Sequence, residues 1–386
     1  MVILVTGSAG FVGKHLIEAL SHRPDVEVIG YDRDSDPAML QDGLARADVI
    51  FHLAGVNRPQ NPDDFRTGNT EFTEVLCARL EAFDRKPLIV FASSIQAVLR
   101  NPYGASKLQA ENALAQWAAK TGASVVVFRL QNVFGKWCRP NYNSVTATFC
   151  HNIAHDMPIT ISDPNRELEL VYIDDVAAGF LAVLDELPKV GAFEHREIPK
   201  YYKLSLGKLA ARIQSFRESR KSLLISTFDD EFTKRLYATY LSYLAAPDFA
   251  YHLAQKIDSR GSLAEFVKSP GFGQIFVSRT LPGVTRGNHY HHTKTEKFLV
   301  VEGEAIIRFR QINSIEVIEH RVSGREFKVV DIPPGYIHSI ENIGHTEMVV
   351  LFWASEIFDP ATPDTYFAEV LNLKNKVKRS APPSKG

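Results

Sequence analysis

The sequence predicts two domains of different class, an α/β doubly wound parallel sheet followed by an all-β domain. Three observations predict it. Short apolar runs alternate with longer amphipathic stretches over residues 1 to about 180. A polar, helical stretch occupies 200 to about 245, and Pro247 interrupts it. From 249 to 357 the pattern changes to many short β-like runs separated by Gly, Pro, Asn and Asp.

Composition sets the frame. With 386 residues, 45% hydrophobic and 23% charged, the chain can bury two ordinary cores. A formal net charge of −1 offers nothing to attract nucleic acid or a membrane surface, so neither partner is expected. Cys77, Cys138 and Cys150 fit no disulfide or metal-ribbon spacing, which points to a reducing compartment. The opening MVILVTG has no charged leader and stops at Gly7, unlike an export signal. No window approaches ~18 consecutive apolar residues. A cytoplasmic location is expected.

In the first part, residues 2–5, 26–31, 49–53, 88–91 and 125–129 read as strands rich in Val, Ile and Phe. Their continuous apolar character suits a sheet covered on both faces. Residues 12–20, 70–83 and 103–121 read as helices between them, with 204–216 and 228–243 as later helices. A linker is placed at 245–248, giving domains over 1–245 and 246–370. In the second part, strands are expected at 274–279, 296–301, 305–310, 316–321, 327–332 and 348–352, as a sandwich or barrel. The lysine-rich, proline-containing tail over 371–386 is expected to be disordered.

Residues 6–13 read TGSAGFVG between the first strand and the first helix. Gly7 and Gly10 allow backbone to approach a pyrophosphate, and Gly13 allows close packing of helix on strand. The helix N-terminus then faces the phosphates. Asp32, ending the second strand, is placed to bind an adenosine ribose. Further along, Tyr103 and Lys107 are four apart on a helix and share a face. Asn101 suits the N-cap and Pro102 the first turn. An ammonium beside a phenol lowers the phenol's pKa, so Tyr103 is expected to exchange a proton with a substrate oxygen as hydride moves. Ser94 is placed to hydrogen-bond the same oxygen.

The spacing T-G-x-x-G-x-x-G resembles the extended short-chain dehydrogenase/reductases. HLAG at 52–55, VFASS at 90–94, YGASK at 103–107, FRLQNVFG at 128–135 and VYIDDVA at 171–177 resemble that family's segments in order. The resemblance covers about 1–240 and implies a Rossmann-like domain binding NAD(P). It implies catalytic Ser94, Tyr103 and Lys107. It implies cofactor contacts from Gly7, Gly10, Phe11, Val12, Gly13, Asp32, Arg33, Leu53 and Ala54, together with Tyr103 and Lys107. Two departures matter. The segment from Ser94 to Tyr103 is short, and Ile95 and Gln96 stand where sugar dehydratases carry an acid, which argues against 4,6-dehydration. Asp32 favours NAD, whereas Arg33 can pair with the 2′-phosphate of NADP. A biosynthetic reduction favours NADPH, with NAD the alternative.

The second domain carries G-x5-H-x-H-x4-E-x6-G, formed by Gly283, His289, His291, Glu296 and Gly303. It also carries P-x-G-x2-H-x3-N, formed by Pro333, Gly335, His338 and Asn342. Histidines at i and i+2 on a strand point to one face. Three histidines and a carboxylate suit Zn, Fe, Ni or Mn, and the donor set does not choose among them. The motif pair resembles the cupins, small β-barrels, over about 270–355, with His289, His291, Glu296 and His338 as metal ligands. It departs at Phe327, where a glycine is expected. His292 and His320 read as surface or supporting residues.

FGKWCRP at 134–140, PNYNSVTATFC at 140–150, LYATYLSYL at 236–244, RGNHYHHTKTEKFLVV at 286–301 and FDPATPDTYFAEV at 358–370 extend the resemblance to about residue 370. They resemble the CapF/WbjC-type family of bifunctional capsular and O-antigen polysaccharide enzymes. That resemblance implies a homodimer with zinc in the cupin domain and a UDP-2-acetamido-2,6-dideoxy-4-hexulose as substrate. Inversion at C3 in the cupin domain would be followed by NADPH-dependent reduction at C4. The product would be UDP-2-acetamido-2,6-dideoxy-L-talose, on the route to UDP-N-acetyl-L-fucosamine. Asn132, Arg139, Asn141 and Asn143 are candidate substrate contacts, with Arg166 behind them. The C3 base stays open among Tyr290, His292, Lys294 and Tyr336. The alternative is a single-activity nucleotide-sugar 4-reductase or 4-epimerase whose cupin only binds sugar.

Overall fold

The computed structural model describes residues 1–61, 63–312 and 314–371, so the tail expectation beyond Leu371 lies outside the described residues. The chain divides into two compact units. One comprises Met1–Gln214 with Asp230–Ala246, the other Ser215–Asp229 with the chain from Pro247 onward.

The first unit is built on a six-stranded sheet. Across it lie Glu27–Tyr31, Val2–Thr6, Val49–His52, Leu88–Ser94, Val125–Leu130 and Phe193–Arg196. Every neighbouring pair is parallel, as expected of a Rossmann-like sheet. Alternation along the strands divides two cores. Leu4, Ile50 and Phe91 face one, with Leu44 and Leu114, while Ile3, Val5, Phe51 and Val90 face the other, with Leu16 and Phe180. The first strand pairs with both the second and the third, so the chain order reverses there. That reversal opens a crevice at the carboxyl ends of the strands. Thr6, at the end of the first strand, delivers the glycine loop to it.

Helix Pro102–Thr121 starts on the expected cap: Gly104 N–H donates to Asn101 Oδ1 at 2.8 Å, with Pro102 in the first turn. Gly122, at φ +74°, ends it. A small sheet of Asn132–Phe134, Glu167–Tyr172 and Tyr202–Ser205 sits beyond the main one.

The second unit contains two antiparallel sheets. One orders Gln255–Asp258, Gly261–Ser269, Gly273–Thr280, Met348–Ala354, Glu296–Glu302 and Val329–Ile332. The other orders Val317–Ser323, Glu304–Gln311, Tyr336–Asn342, Thr285–Tyr290 and Tyr366–Phe367. Phe298, Val300, Ile307, Phe309, Ile340, Val350 and Phe352 join them in one apolar core. The arrangement is cupin-like, expressed as two sheets rather than one closed circuit of strands.

The strand expected over 327–332 begins only at Val329, because Phe327 takes φ +47° and turns the chain. Strand Gln255–Asp258 escaped the sequence reading; it is polar and exposed, so no apolar run marks it. The strand expected to carry both His289 and His291 is Thr285–Tyr290, so His291 falls just past its end. Among the described residues no helix is long and apolar enough to cross a membrane.

Candidate active site and metal cluster

The glycine loop is shaped by close approach. Gly7 takes φ +73°, and a Cβ there would stand 2.7 Å from the Ala54 nitrogen. A Cβ on Gly13 would stand 2.1 Å from the Gly7 carbonyl oxygen, so only glycine lets helix Phe11–Leu20 seat on the loop. That helix begins at Gly10 with no side-chain cap, leaving its first N–H groups for a ligand. The Asp32 carboxylate accepts the Ala9 N–H at 2.9 Å and the Arg33 N–H at 2.8 Å, tying the loop to the end of the second strand.

A cavity of about 700 Å³ opens over this loop. Of the expected contacts, Gly7, Gly10, Phe11, Val12, Gly13 and Leu53 line it on the loop side. Ser94, Tyr103 and Lys107 line it, as do Asn132, Arg139, Asn143 and Arg166. Asp32, Arg33, Ala54 and Asn141 are not brought to its wall. Ala54 lies behind Gly7, its N–H donating to Thr6 Oγ1 at 3.3 Å. Asn141, at φ +54°, donates its N–H to Thr148 Oγ1 at 3.0 Å and shapes the turn.

Ser94 ends its strand, accepts the Gln96 N–H at 3.2 Å and hydrogen-bonds with Tyr103. Burial pushes the Tyr103 phenol above its ordinary pKa, and the Ser94 hydrogen bond opposes this. Lys107 is 5% exposed, and its ammonium donates to the Ala92 carbonyl at 3.0 Å. Burial pushes its pKa down to about 8, with Glu111 opposing. The expected lowering of the phenol by the ammonium is therefore not what this site displays: desolvation dominates both groups.

Two supporting residues escaped the sequence reading. Asn69, in the π-helical turn Arg66–Glu71, donates to Ser106 Oγ at 2.9 Å and Val56 O at 3.0 Å. A Cβ on Gly55 would meet Asn69 Oδ1 at 2.7 Å and Lys107 Nζ at 3.2 Å, so this segment is pressed against the lysine. A π-turn has no sequence signature, which is why Asn69 was invisible. Glu111, one turn beyond Lys107, accepts from Ser93 Oγ at 2.5 Å and from Arg129 at 2.6 and 3.0 Å. Its spacing on the lysine's own helix face was the available signal.

In the second unit His289, His291, Glu296 and His338 place donor atoms within 4.8 Å of one another. His289 and His338 face each other across paired strands, and Glu296 opens a strand of the other sheet. His291 follows the end of strand Thr285–Tyr290. The His291 Nδ1–H donates to the Asp364 carbonyl at 2.6 Å and the His338 Nδ1–H to the Tyr336 carbonyl at 3.3 Å. The Nε2 atoms of both are buried without a hydrogen bond, each 3.4 Å from a Glu296 carboxylate oxygen. Buried acceptors left orphaned, on imidazoles whose other nitrogen is engaged, fit a first-row divalent metal. Burial pushes His289 down to about 4, so it presents a neutral ring. Burial raises Glu296, but its contacts with His291 and His338 outweigh that and keep it ionised.

Of the candidate C3 bases, Tyr290 stacks on Tyr366 with ring centroids 5.3 Å apart and His292 meets Tyr366 edge-on. Lys294 donates to Thr365 Oγ1 at 3.0 Å, and Tyr336 packs against the unit's apolar core. His292 and His320 are exposed, as expected.

Residues 3–195 match the NAD dependent epimerase/dehydratase family, and 256–366 match the polysaccharide biosynthesis C-terminal domain. The chain is 44% identical over 370 residues to UDP-2-acetamido-2,6-beta-L-arabino-hexul-4-ose reductase of Pseudomonas aeruginosa, covering 96% of this chain and 99% of that protein. The crystal structure of capsular polysaccharide assembling protein CapF from Staphylococcus aureus superposes with a TM-score of 0.88 at 46% identity, over 96% of this chain and all of that one. A UDP-glucuronic acid 4-epimerase from Bacillus cereus in complex with NAD shares the fold alone, with 20% identity and a TM-score of 0.54 over 63% of this chain and 98% of that one. The chain thus belongs to the family of that hexulose reductase and CapF, in which a nucleotide-binding epimerase/dehydratase domain is followed by a polysaccharide biosynthesis C-terminal domain.

Proposed function

We propose that the protein is a bifunctional nucleotide-sugar enzyme. It inverts C3 of a UDP-2-acetamido-2,6-dideoxy-4-hexulose in its cupin-like domain (246–370). It then reduces C4 with NADPH in its first domain (1–245). The product is UDP-2-acetamido-2,6-dideoxy-L-talose, which feeds UDP-N-acetyl-L-fucosamine. The observation that carries the reading is the Ser94–Tyr103–Lys107 group, with Ser94 and Lys107 buried and Tyr103 half-buried, on the wall of the cavity that also holds the glycine loop.

A nicotinamide dinucleotide held at the loop of Gly7, Gly10 and Gly13 would supply the hydride for C4. Tyr103, kept protonated by burial, gives its proton to the C4 oxygen as that oxygen becomes a hydroxyl. Ser94 hydrogen-bonds the same oxygen and holds it near the phenol. Lys107, anchored on the Ala92 carbonyl, places its positive charge beneath the phenolate that remains. Asn132, Arg139 and Asn143, with Arg166, offer polar and cationic contacts for the diphosphate and sugar. NADPH is preferred as the donor of a biosynthetic reduction, and the exposed Arg33 side chain, 3.9 Å from Asp34, is available to a 2′-phosphate.

A 4-keto group acidifies the C3 hydrogen, so removal and return of that proton on opposite faces inverts C3. The two epimers are nearly balanced. Reduction at C4 removes the keto group, ends the exchange and draws the sequence forward. His289, His291, Glu296 and His338 would hold zinc, which supplies a Lewis acid and a cross-link between the two sheets of the domain. A cytoplasmic homodimer completes the reading.

Proton NMR of the 4-keto sugar in deuterated buffer tests both halves in one tube. Enzyme alone should place deuterium at C3, and later NADPH should convert the ketone to the talo alcohol. Reduction without prior exchange at C3 would leave a 4-reductase with a non-catalytic cupin, and no NADPH oxidation would sink the assignment.

A further inference from the structure

The segment over 358–370 runs as a strap along the histidine-bearing strand. Phe367 and Tyr366 pair with His289 and Tyr290. Ala368 N–H donates to Asn288 O at 2.9 Å, and Val370 N–H to Asn288 Oδ1 at 3.1 Å. The buried Arg310 guanidinium holds the strap's far end, donating to the carbonyls of Val370 and Glu369 at 2.8 Å each. These contacts secure the His289 side of the cluster. On the other side Asp364 acts beside Lys294 Nζ, which donates to Thr365 Oγ1 at 3.0 Å, and Thr295 N–H, which donates to Ser355 Oγ at 3.0 Å.

The Asp364 carboxylate receives three successive backbone N–H groups. His292 donates to Oδ1 at 3.0 Å, while Thr293 and Lys294 donate to Oδ2 at 2.9 Å each. The Thr293 hydroxyl, 3.0 Å from Asp364 Oδ2 and 3.2 Å from Glu356 Oε1, has one proton to share between the two carboxylates. The carbonyl of the same residue accepts from His291 Nδ1 at 2.6 Å. Asp364 adopts φ +35°, a left-handed conformation that Asp and Asn tolerate better than other side chains. That turn lets side chain and carbonyl reach the same short loop, the one joining His291 to Glu296.

We propose that Asp364 is a positioning residue for the metal ion: its carboxylate pins the loop over 292–294, so that its own carbonyl fixes His291 in the tautomer and orientation that leave Nε2 for the ion. This rests on the reading of the four-residue cluster as a metal site. The buried, unpartnered Nε2 of His291 is the atom so presented. Outer partners of this kind govern metal affinity without touching the ion.

Asp364→Asn is the direct test. An amide has one acceptor atom where the carboxylate has two, so either the His292 N–H or the Thr293–Lys294 pair loses its partner. The full-length protein is stripped of metal, checked for secondary structure by circular dichroism, and titrated with zinc against a chromophoric chelator. Cobalt is then added in place of zinc and its visible absorption recorded. The variant should bind zinc about 10–100-fold more weakly than the native chain. Its cobalt spectrum should shift as His291 loosens.

Asp359→Asn is the control. Asp359 caps a turn in the same strap, accepting from Ala361 and Thr362, without touching a ligand, and should keep native affinity and spectrum. Native zinc affinity with an unchanged cobalt spectrum in Asp364→Asn overturns the proposal, as does equal weakening in Asp359→Asn. If Asp364→Asn does not fold, Thr293→Val, which removes one side-chain donor to the carboxylate, carries the test: zinc should bind severalfold more weakly, and native affinity overturns the proposal. Should the native chain itself take up neither ion, the metal reading fails and the proposal falls with it. That outcome is distinct from a variant that matches a metal-binding native chain.

Discussion

The Lys107 ammonium donates to the carbonyl of Ala92 at 3.0 Å, two residues before Ser94 on the same strand. One turn along the helix, Glu111 accepts from Ser93. Helix Pro102–Thr121 is thus bolted to strand Leu88–Ser94 at two successive points. The bolts set where Tyr103, on the helix, meets Ser94, on the strand.

Tyr103→Phe removes one hydroxyl from that meeting point and leaves the ring in place. We expect kcat for NADPH-dependent reduction to fall about 10²–10⁴-fold, the range for loss of a general acid, with KM changed only severalfold. Steady-state NADPH oxidation measures both. Turnover near the native rate would remove Tyr103 from the chemistry.

Lys107 is held at a cost to stability. Its folded pKa, pushed down to about 8, lies below the ordinary lysine value of 10.5, so the unfolded chain binds the extra proton between those values. Stability therefore rises with pH across pH 8 to 10.5, and the full penalty, on the order of 3 kcal/mol, applies below pH 8. Lys107→Met should abolish reduction while stabilising the ligand-free protein at pH 7 by about 2 kcal/mol, after about 1 kcal/mol is returned for the unpartnered Ala92 carbonyl. Urea unfolding at pH 7 and pH 10 should show the advantage shrinking at the higher pH. A native chain more stable than the variant at pH 7 would contradict this.

Gly13→Ala places a methyl 2.1 Å from the Gly7 carbonyl, against backbone that has no side chain to swing away. Helix Phe11–Leu20 must lift from the loop. NADPH affinity, read by quenching of protein fluorescence, should drop about 100-fold or more, and stability should fall by about 1–3 kcal/mol. Native affinity would mean that the loop does not cradle the dinucleotide.

Phe327 carries an exposed aromatic ring at φ +47°, where the cupin pattern expects glycine. A left-handed non-glycine residue costs about 1–2 kcal/mol, and glycine gives back about 0.5–1 kcal/mol through the unfolded chain. Phe327→Gly should therefore raise stability by up to about 1.5 kcal/mol and shift the thermal midpoint upward by a few degrees. A lower midpoint would show that the ring makes a contact worth more than the strain.

Ordered, local signals carried most of the outline. The alternation of apolar runs and amphipathic stretches predicted the parallel sheet, and TGSAGFVG stands between its first strand and first helix because glycine spacing and strand ending are adjacent in the chain. Four metal-type donors could be named because each sits in a motif of fixed spacing, and they fall within 4.8 Å of one another. Polar strands such as Gln255–Asp258 were unreadable, since an exposed strand carries no hydrophobic period.

By itself the sequence determined the residue types of the chemistry, their grouping into two domains and the backbone freedom its glycines allow. It could not decide the protonation of Tyr103 and Lys107, because desolvation depends on how tightly helix and strand close over them. Nor could it decide that Asp364 would reach back 73 residues to hold His291. Both depend on which distant groups are brought together and how much water is expelled between them, and those are properties of packing rather than of order along the chain.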